Sequence, residues 1–291
     1  MGLVLSLVMS KLLKIKDISP CIGSIIYGLD LSKPLESAVL EELRILWLRR
    51  KVLVFNGQQL TPQQHTDFTE QFGKLDQYPF LKSLDGYPYV AEILKLADEK
   101  VNFGGIWHSD TSYLKTPAAG ASLYALEIPD IGGDTIFCNM HQAYEALPDE
   151  IKNKIIHLTA VNSSAKRDVS NTRKHRIDDR GIKHAPEEIK HVHPVIRCHP
   201  ETGEKVLFIN EAHTVAIEGL SEFENDHLQS YLYQHARKPE FQCRLSWSVG
   251  MLVLWDNRST HHYPINDYTG FQRLLHRVSL KGDVPVGVKT T

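Results

Sequence analysis

Trp107-His108-Ser109-Asp110-Thr111 is the stretch that decides how the 291-residue chain is read. On an extended strand, residues two apart point to the same side, so His108 and Asp110 would converge. An imidazole and a carboxylate from one strand supply two ligands of a 2-His-1-carboxylate face. That face suits non-heme Fe(II), because three adjacent coordination positions stay open for a chelating cosubstrate and O2. The third ligand must come from far along the chain. The candidate is His262, within Trp255-Asp256-Asn257-Arg258-Ser259-Thr260-His261-His262-Tyr263. By itself a His-X-Asp pair is a weak signal, since most such pairs are solvated strand or turn residues.

Around these two stretches the chain reads as short strands. Apolar runs at 51–55, 122–126, 135–138, 192–198, 206–210, 241–247, 251–255 and 274–280 have strand length and β-type composition. Helical patterns are fewer. Val39, Leu43, Leu46 and Trp47 form a stripe over 36–50. Thr61, Pro62 and Gln64 open a second helix as N-cap, first-turn proline and capping-box partner. Phe68 and Phe72 lie on its inward face, and Gly73 ends it. A third pattern covers 142–158, and Ser221 with Glu224 caps a helix running to about 235. The pattern predicts a mainly β fold, a closed or sandwiched core with helices outside. No repeat, linker or composition break appears, so residues 1–291 read as one domain.

The composition is 42% apolar and 23% charged, close to globular averages. A formal net charge of -2 draws in neither nucleic acid nor membrane. Cys21, Cys138, Cys198 and Cys243 are widely spaced, which argues against a zinc ribbon or a disulfide framework and fits a reducing cytoplasm. Residues 1–9 are apolar but lack the leader of a signal peptide and the length of a membrane span, and residues 1–8 read as an upstream extension from Met9. Residues 163–191 carry eight Lys/Arg interleaved with acids and few large apolar groups, a composition that builds no core. They read as a lid or mobile insert. The histidines at 175, 184, 191 and 193 read as solvated or lid-associated.

Arg273 and Arg277 lie four apart. On a strand both face one side, roughly 13 Å apart at ~3.3 Å per residue. Inward arginines need anionic partners. Those partners are either one or two bound acids or protein carboxylates such as Asp110, Asp134 or Asp256.

Taken together, several segments resemble the taurine dioxygenase / TfdA family of Fe(II)- and 2-oxoglutarate-dependent oxygenases. They are Trp-His-Ser-Asp at 107–110, Gly-Gly-Asp-Thr at 132–135, Trp-Asp-Asn-Arg at 255–258, His-Tyr at 262–263 and His-Arg at 276–277. Their order and spacing match over about residues 11–285. The resemblance implies a double-stranded β-helix (jelly roll) core. It implies His108, Asp110 and His262 as iron ligands, with His262 preferred to His261 because the family ligand directly precedes a Tyr. It implies Thr135 and Arg273 on the distal carboxylate of 2-oxoglutarate, and Arg277 on the substrate's acid group. Where taurine dioxygenase has polar or aromatic substrate contacts, this chain has Tyr78, Leu81, Gly104 and His213. The pocket is therefore shaped differently, with Asn102, Phe103 and Gly104-Gly105 making it roomier.

Three functions fit the residues. The first is an oxygenase using Fe(II), 2-oxoglutarate and O2 to oxidise a C–H bond of a small carboxylate or sulfonate, releasing succinate and CO2. The second is a zinc-dependent hydrolase with the same His/Asp/His set, in which Thr135 and the arginine pair have no task. The third is a non-catalytic jelly roll that binds an acid. Nothing in the sequence fixes the substrate, and a homo-oligomer is compatible with it.

Overall fold

Val52–Phe55 shows how the core divides. All four residues are buried, yet successive side chains leave a strand on opposite faces. Val52 and Val54 enter an interior cluster, whereas Leu53 and Phe55 pack beneath helices. The neighbouring Leu252–Asp256 strand alternates in register, with Val253 opposite Val54 and Leu254 opposite Leu53. The computed structural model from which this is read describes residues 13–166 and 188–289. The extension at 1–8 and residues 167–187 of the insert lie outside the described residues.

The larger sheet carries, side by side, Val52–Phe55, Leu252–Asp256, Gly120–Glu127, Arg273–Leu280 and Tyr87–Lys95. Ser24–Tyr27 adds to its edge in parallel with Val52–Phe55, through the crossover helix Ser37–Arg50. A smaller antiparallel sheet, Gln242–Leu245, Thr135–Asn139 and Thr260–Pro264, faces it. Phe137, Cys243 and Leu245 of the small sheet meet Val54, Ala121, Val253 and Leu275 of the large one. This is the double-stranded β-helix that the resemblance implied.

The helices cover the outer faces. Ser37–Arg50 and Pro62–Glu70 lay Leu43, Trp47, Phe68 and neighbouring Phe72 on the large sheet. Both expected capping boxes form, at Thr61/Gln64 and Ser221/Glu224. The pattern at 142–158 is two helices, Met140–Glu145 and Asp149–Ile155. Pro148 breaks it, having no N–H to give and no room for the preceding turn. At the root of the polar insert, Thr159–Ser163 pairs antiparallel with Lys190–Pro194. His193 lies on this hairpin and is buried, with Nε2 on the Leu114 carbonyl at 2.8 Å and its ring against Phe208. That corrects its reading as a solvated residue.

Candidate active site

Strand register aims His262. In the small sheet His262 sits opposite Phe137, and His261 opposite Cys138. Phe137 belongs to the interior cluster and Cys138 to the outer one, so the two adjacent histidines point to opposite sides. His262 packs between Phe137 and Trp255 inside the roll. His261 lies with Trp107, Tyr233 and Arg237 in a separate cavity.

His108 and Asp110 were expected on a continuous strand, and they are not. Only His108 bridges the small sheet, exchanging backbone hydrogen bonds with His262 at 3.1 and 2.8 Å. The chain then turns, and Thr111 adopts a left-handed φ of 53°. Asn257 supplies what a strand would have given. Its Oδ1 accepts from the Asp110 N–H at 2.6 Å, and its Nδ2 donates to the Asp110 and Ala118 carbonyls at 3.0 and 2.9 Å. Asn257 is held by its neighbours in turn. Fully buried Asp256 accepts from the Arg258 side chain and lies 2.9 Å from His199 Nε2. Trp107 stacks on Tyr263, joining the two halves of the site.

These contacts bring one donor atom from each of His108, Asp110 and His262 within 4.8 Å of one another. Asp110 Oδ1 lies 3.6 Å from His108 Nε2 and 4.0 Å from His262 Nε2. His108 Nδ1 is 2.6 Å from the Ile106 carbonyl, which can only accept, so Nδ1 carries the proton and Nε2 presents its lone pair inward. Burial resists ionisation of Asp110, but Arg277 and the two imidazoles outweigh it and hold the carboxyl well below the usual carboxylate range. Burial, reinforced by His108, keeps His262 well below the ordinary imidazole value and hence neutral, the ligating form.

Arg273 and Arg277 do share the inward face of Arg273–Leu280, with Leu275 between them in the interior cluster. Their surroundings differ. Arg277 donates from Nη1 to Asp110 Oδ1 at 3.1 Å, and Nη2 lies 3.0 Å from Oδ2 off the hydrogen-bond angle. Its cation also sits 5.0 Å over the Tyr78 ring. Of the two kinds of partner the sequence left open for Arg277, a protein carboxylate, Asp110, is the one present. Arg273 is buried over Trp247, and its Nε and Nη2 have no hydrogen-bond partner among the described residues. Burial lowers its pKa, with Tyr268 partly offsetting the effect. Thr135 meets the same Trp247, accepting from Nε1 at 3.0 Å. A hydroxyl that accepts there keeps its own proton to donate. A bound carboxylate fits these unsatisfied donors, and two imidazoles with a carboxylate fit Fe(II).

A cleft opens on His108 and Asp110, lined also by Tyr78, Phe103, Gly104 and His213 among others. Gly104 has φ +71°, and a Cβ there would stand 3.0 Å from His108 Cε1. Asn102 turns away from the cleft wall and donates to the Pro264 carbonyl at 3.0 Å, tying down the loop before the ligands. Leu81 is buried.

The profile of the family described as "Taurine catabolism dioxygenase TauD, TfdA family" matches residues 14–279. The chain belongs to the TauD/TfdA family. This TauD/TfdA member is 32% identical over 286 residues to the alpha-ketoglutarate-dependent sulfate ester dioxygenase of Pseudomonas putida, covering 95% of this chain and 92% of that protein. It is 33% identical over 286 residues to the alpha-ketoglutarate-dependent 2,4-dichlorophenoxyacetate dioxygenase of Cupriavidus pinatubonensis, covering 92% and 97%. A solved taurine dioxygenase from Burkholderia xenovorans matches with a TM-score of 0.80 at 32% identity, covering 94% of this chain and 93% of that one. The protein is an Fe(II)- and 2-oxoglutarate-dependent dioxygenase acting on a small acidic substrate. Family membership decides against the zinc hydrolase and the non-catalytic binder.

Sequence reasoning about this TauD/TfdA enzyme missed Asn257, Trp247 and Tyr268. Trp255-Asp256-Asn257-Arg258 was visible as a motif, but the Asn257 clamp on a backbone 147 residues away was not. No helix among the described residues is long and apolar enough to cross a membrane.

Proposed function

We propose that His108, Asp110 and His262 hold the iron, that Thr135 and Arg273 take the distal carboxylate of 2-oxoglutarate, and that the substrate lies in the cleft over His108. The observation that carries this reading is Arg273: a buried guanidinium with two unmet nitrogens, gathered with Thr135 around Trp247 on the inward face of the roll. When bound, iron and 2-oxoglutarate would supply, with O2 as the four-electron oxidant, oxidative decarboxylation to succinate and CO2 coupled to oxidation of a substrate C–H bond. The protein's part is positioning and water exclusion. His108 is fixed by Ile106, Asp110 by Asn257 and Arg277, and His262 by its strand.

The substrate reading is an acid on an apolar body. Tyr78 and Phe103 meet edge to face at the cleft, and Tyr113 packs on His213 at 4.8 Å. Such walls suit an alkyl or aryl body. Arg277, with Tyr78 across its face, is the cation that the acid group reads. Arg277 Nε donates to Ser279 Oγ at 3.2 Å, so the edge that would meet the substrate's acid group is the Nη1/Nη2 pair, which it would share with Asp110. His213 also lines the cleft, its Nδ1 engaged with Ser112 Oγ at 3.0 Å. Asn102 acts through the Gly104-Gly105 loop that it anchors. The relatives named for sulfate ester and 2,4-dichlorophenoxyacetate oxidation support an acid with an organic body. Taurine is a poor substrate on this reading, because Tyr78, Leu81 and Gly104 stand where polar or aromatic contacts were expected. One domain over 1–291 is supported by the match over 14–279, and a cytoplasmic location by four free thiols.

The test is a screen of alkyl sulfates, aryloxyacetates, sulfonates, taurine and uncharged esters or alcohols of the same bodies, reading succinate release that depends on added substrate. Efficient sulfite release from taurine would overturn the pocket reading, and an enzyme stimulated only by uncharged compounds would overturn the acid.

A further inference from the structure

We infer that Lys95 is a second cation of the cosubstrate pocket, holding the distal carboxylate of 2-oxoglutarate together with Arg273. The inference rests on the assignment of Arg273 to that carboxylate.

Lys95 ends the Tyr87–Lys95 strand and sits directly opposite Arg273. Residues directly opposite in an antiparallel pair project from the same face, with Cβ atoms roughly 5 Å apart. Ile93, two residues earlier, packs against the interior cluster, so the lysine continues inward. Lysine is rarely buried without a reason, yet Lys95 is 3% exposed. Its ammonium lies 4.5 Å from the centroid of the Tyr268 ring, and the same Tyr268 acts electrostatically on Arg273. The two cations therefore meet at one buried phenol. Asp134, the acid whose charge reaches Arg273, is itself engaged by Arg244 at 2.6 Å and Ser246 at 3.1 Å.

Two cationic side chains thus share this inward face, and an ammonium with three donors can take a further acceptor. A carboxylate entering between them gains charge-assisted hydrogen bonds from both. The ring face keeps the ammonium at the pocket, because cations sit favourably over an aromatic ring. The gain is specificity. The distal carboxylate is what separates 2-oxoglutarate from monoacids that chelate iron equally well, and a second cation sharpens the preference for the dianion.

Calorimetric titration of the Mn(II)-loaded full chain tests this without turnover. The probes are 2-oxoglutarate and 2-oxopentanoate, which has the same chain without the distal carboxylate. Lys95→Met should weaken 2-oxoglutarate roughly tenfold and leave 2-oxopentanoate unchanged, and Lys95→Arg should keep most of the preference for the dianion. Equal weakening of both acids would make Lys95 merely structural, and unchanged 2-oxoglutarate binding would remove it from the pocket. A measurement without any Lys95 variant stands beside these. Arg273→Met should retain a severalfold preference for the dianion through Lys95, and its collapse to no preference would overturn the inference. If Arg273→Met binds 2-oxoglutarate as the wild type does, the cosubstrate assignment itself fails.

Discussion

Arg277 and Asp110 form a buried ion pair at the heart of the triad, with contacts of 3.0 and 3.1 Å between the guanidinium and the carboxylate. Asp110 is 3% exposed, so without a cation its charge would be stranded. Arg277 supplies that cation in the metal-free protein. Removing one partner of a buried pair costs about 3–5 kcal/mol. Arg277→Gln should therefore destabilise the metal-free protein by that order. A divalent cation replaces the lost charge, so Mn(II) should raise the variant's unfolding temperature more than it raises that of the wild type. Equal shifts would mean that Arg277 is not the counter-charge of Asp110.

The two adjacent histidines should separate cleanly. His262→Ala removes one of only three donors and should abolish metal binding and turnover, as should His108→Ala and Asp110→Ala. His261 faces the outer cavity with Tyr233 and Arg237, so His261→Ala should retain stoichiometric metal. Metal content after dialysis decides the matter, and loss of metal in His261→Ala alone would put the strand one residue out of register.

Much of this was legible because the informative signals are local. Thr61 and Gln64, or Ser221 and Glu224, lie within one helical turn, and the strand runs carry their own alternation. The spacing of His108 and Asp110 also pointed to a shared site, although through a strand that does not form. Contacts made across the roll could not be read. Asn257 on the Asp110 backbone, Trp247 on Thr135 and Arg277 on Asp110 span 147, 112 and 167 residues. Sequence shows that an inward arginine needs an anion, but only the fold shows that Arg277 finds one in the protein while two nitrogens of Arg273 find none.

Asn257 gives a test of positioning at a distance. Asn257→Leu has similar volume but strips three hydrogen bonds and leaves the Asp110 N–H and two carbonyls unmet in a buried turn. Each such group costs about 1–3 kcal/mol. Partners that orient a ligand typically carry about 10–100-fold in metal affinity. Metal titration of the folded fraction should show a loss in that range with all three donors still present. Wild-type affinity would show that Asp110 keeps its place without the clamp.

Acid should weaken the fold, and His65 offers a defined share of the effect. The residue is fully buried beneath the large sheet, with Nε2 2.7 Å from Ser122 Oγ. Burial, aided by the neighbouring His276, pulls its pKa from 6.5 down to about 3. In the unfolded chain the same imidazole takes a proton near the ordinary value, so between these limits the unfolded state binds a proton that the native state refuses. The contribution is therefore complete above about pH 6.5 and is lost as the pH falls toward 3. His193 and His276 are shifted in the same direction by burial and add to the slope. His65→Gln keeps a hydrogen-bonding group for Ser122 and removes the titration. Its unfolding free energy in urea should fall less steeply with acid, by about 1.4 kcal/mol per pH unit in the middle of the window. Parallel slopes for variant and wild type would mean that His65 accepts its proton inside the native fold.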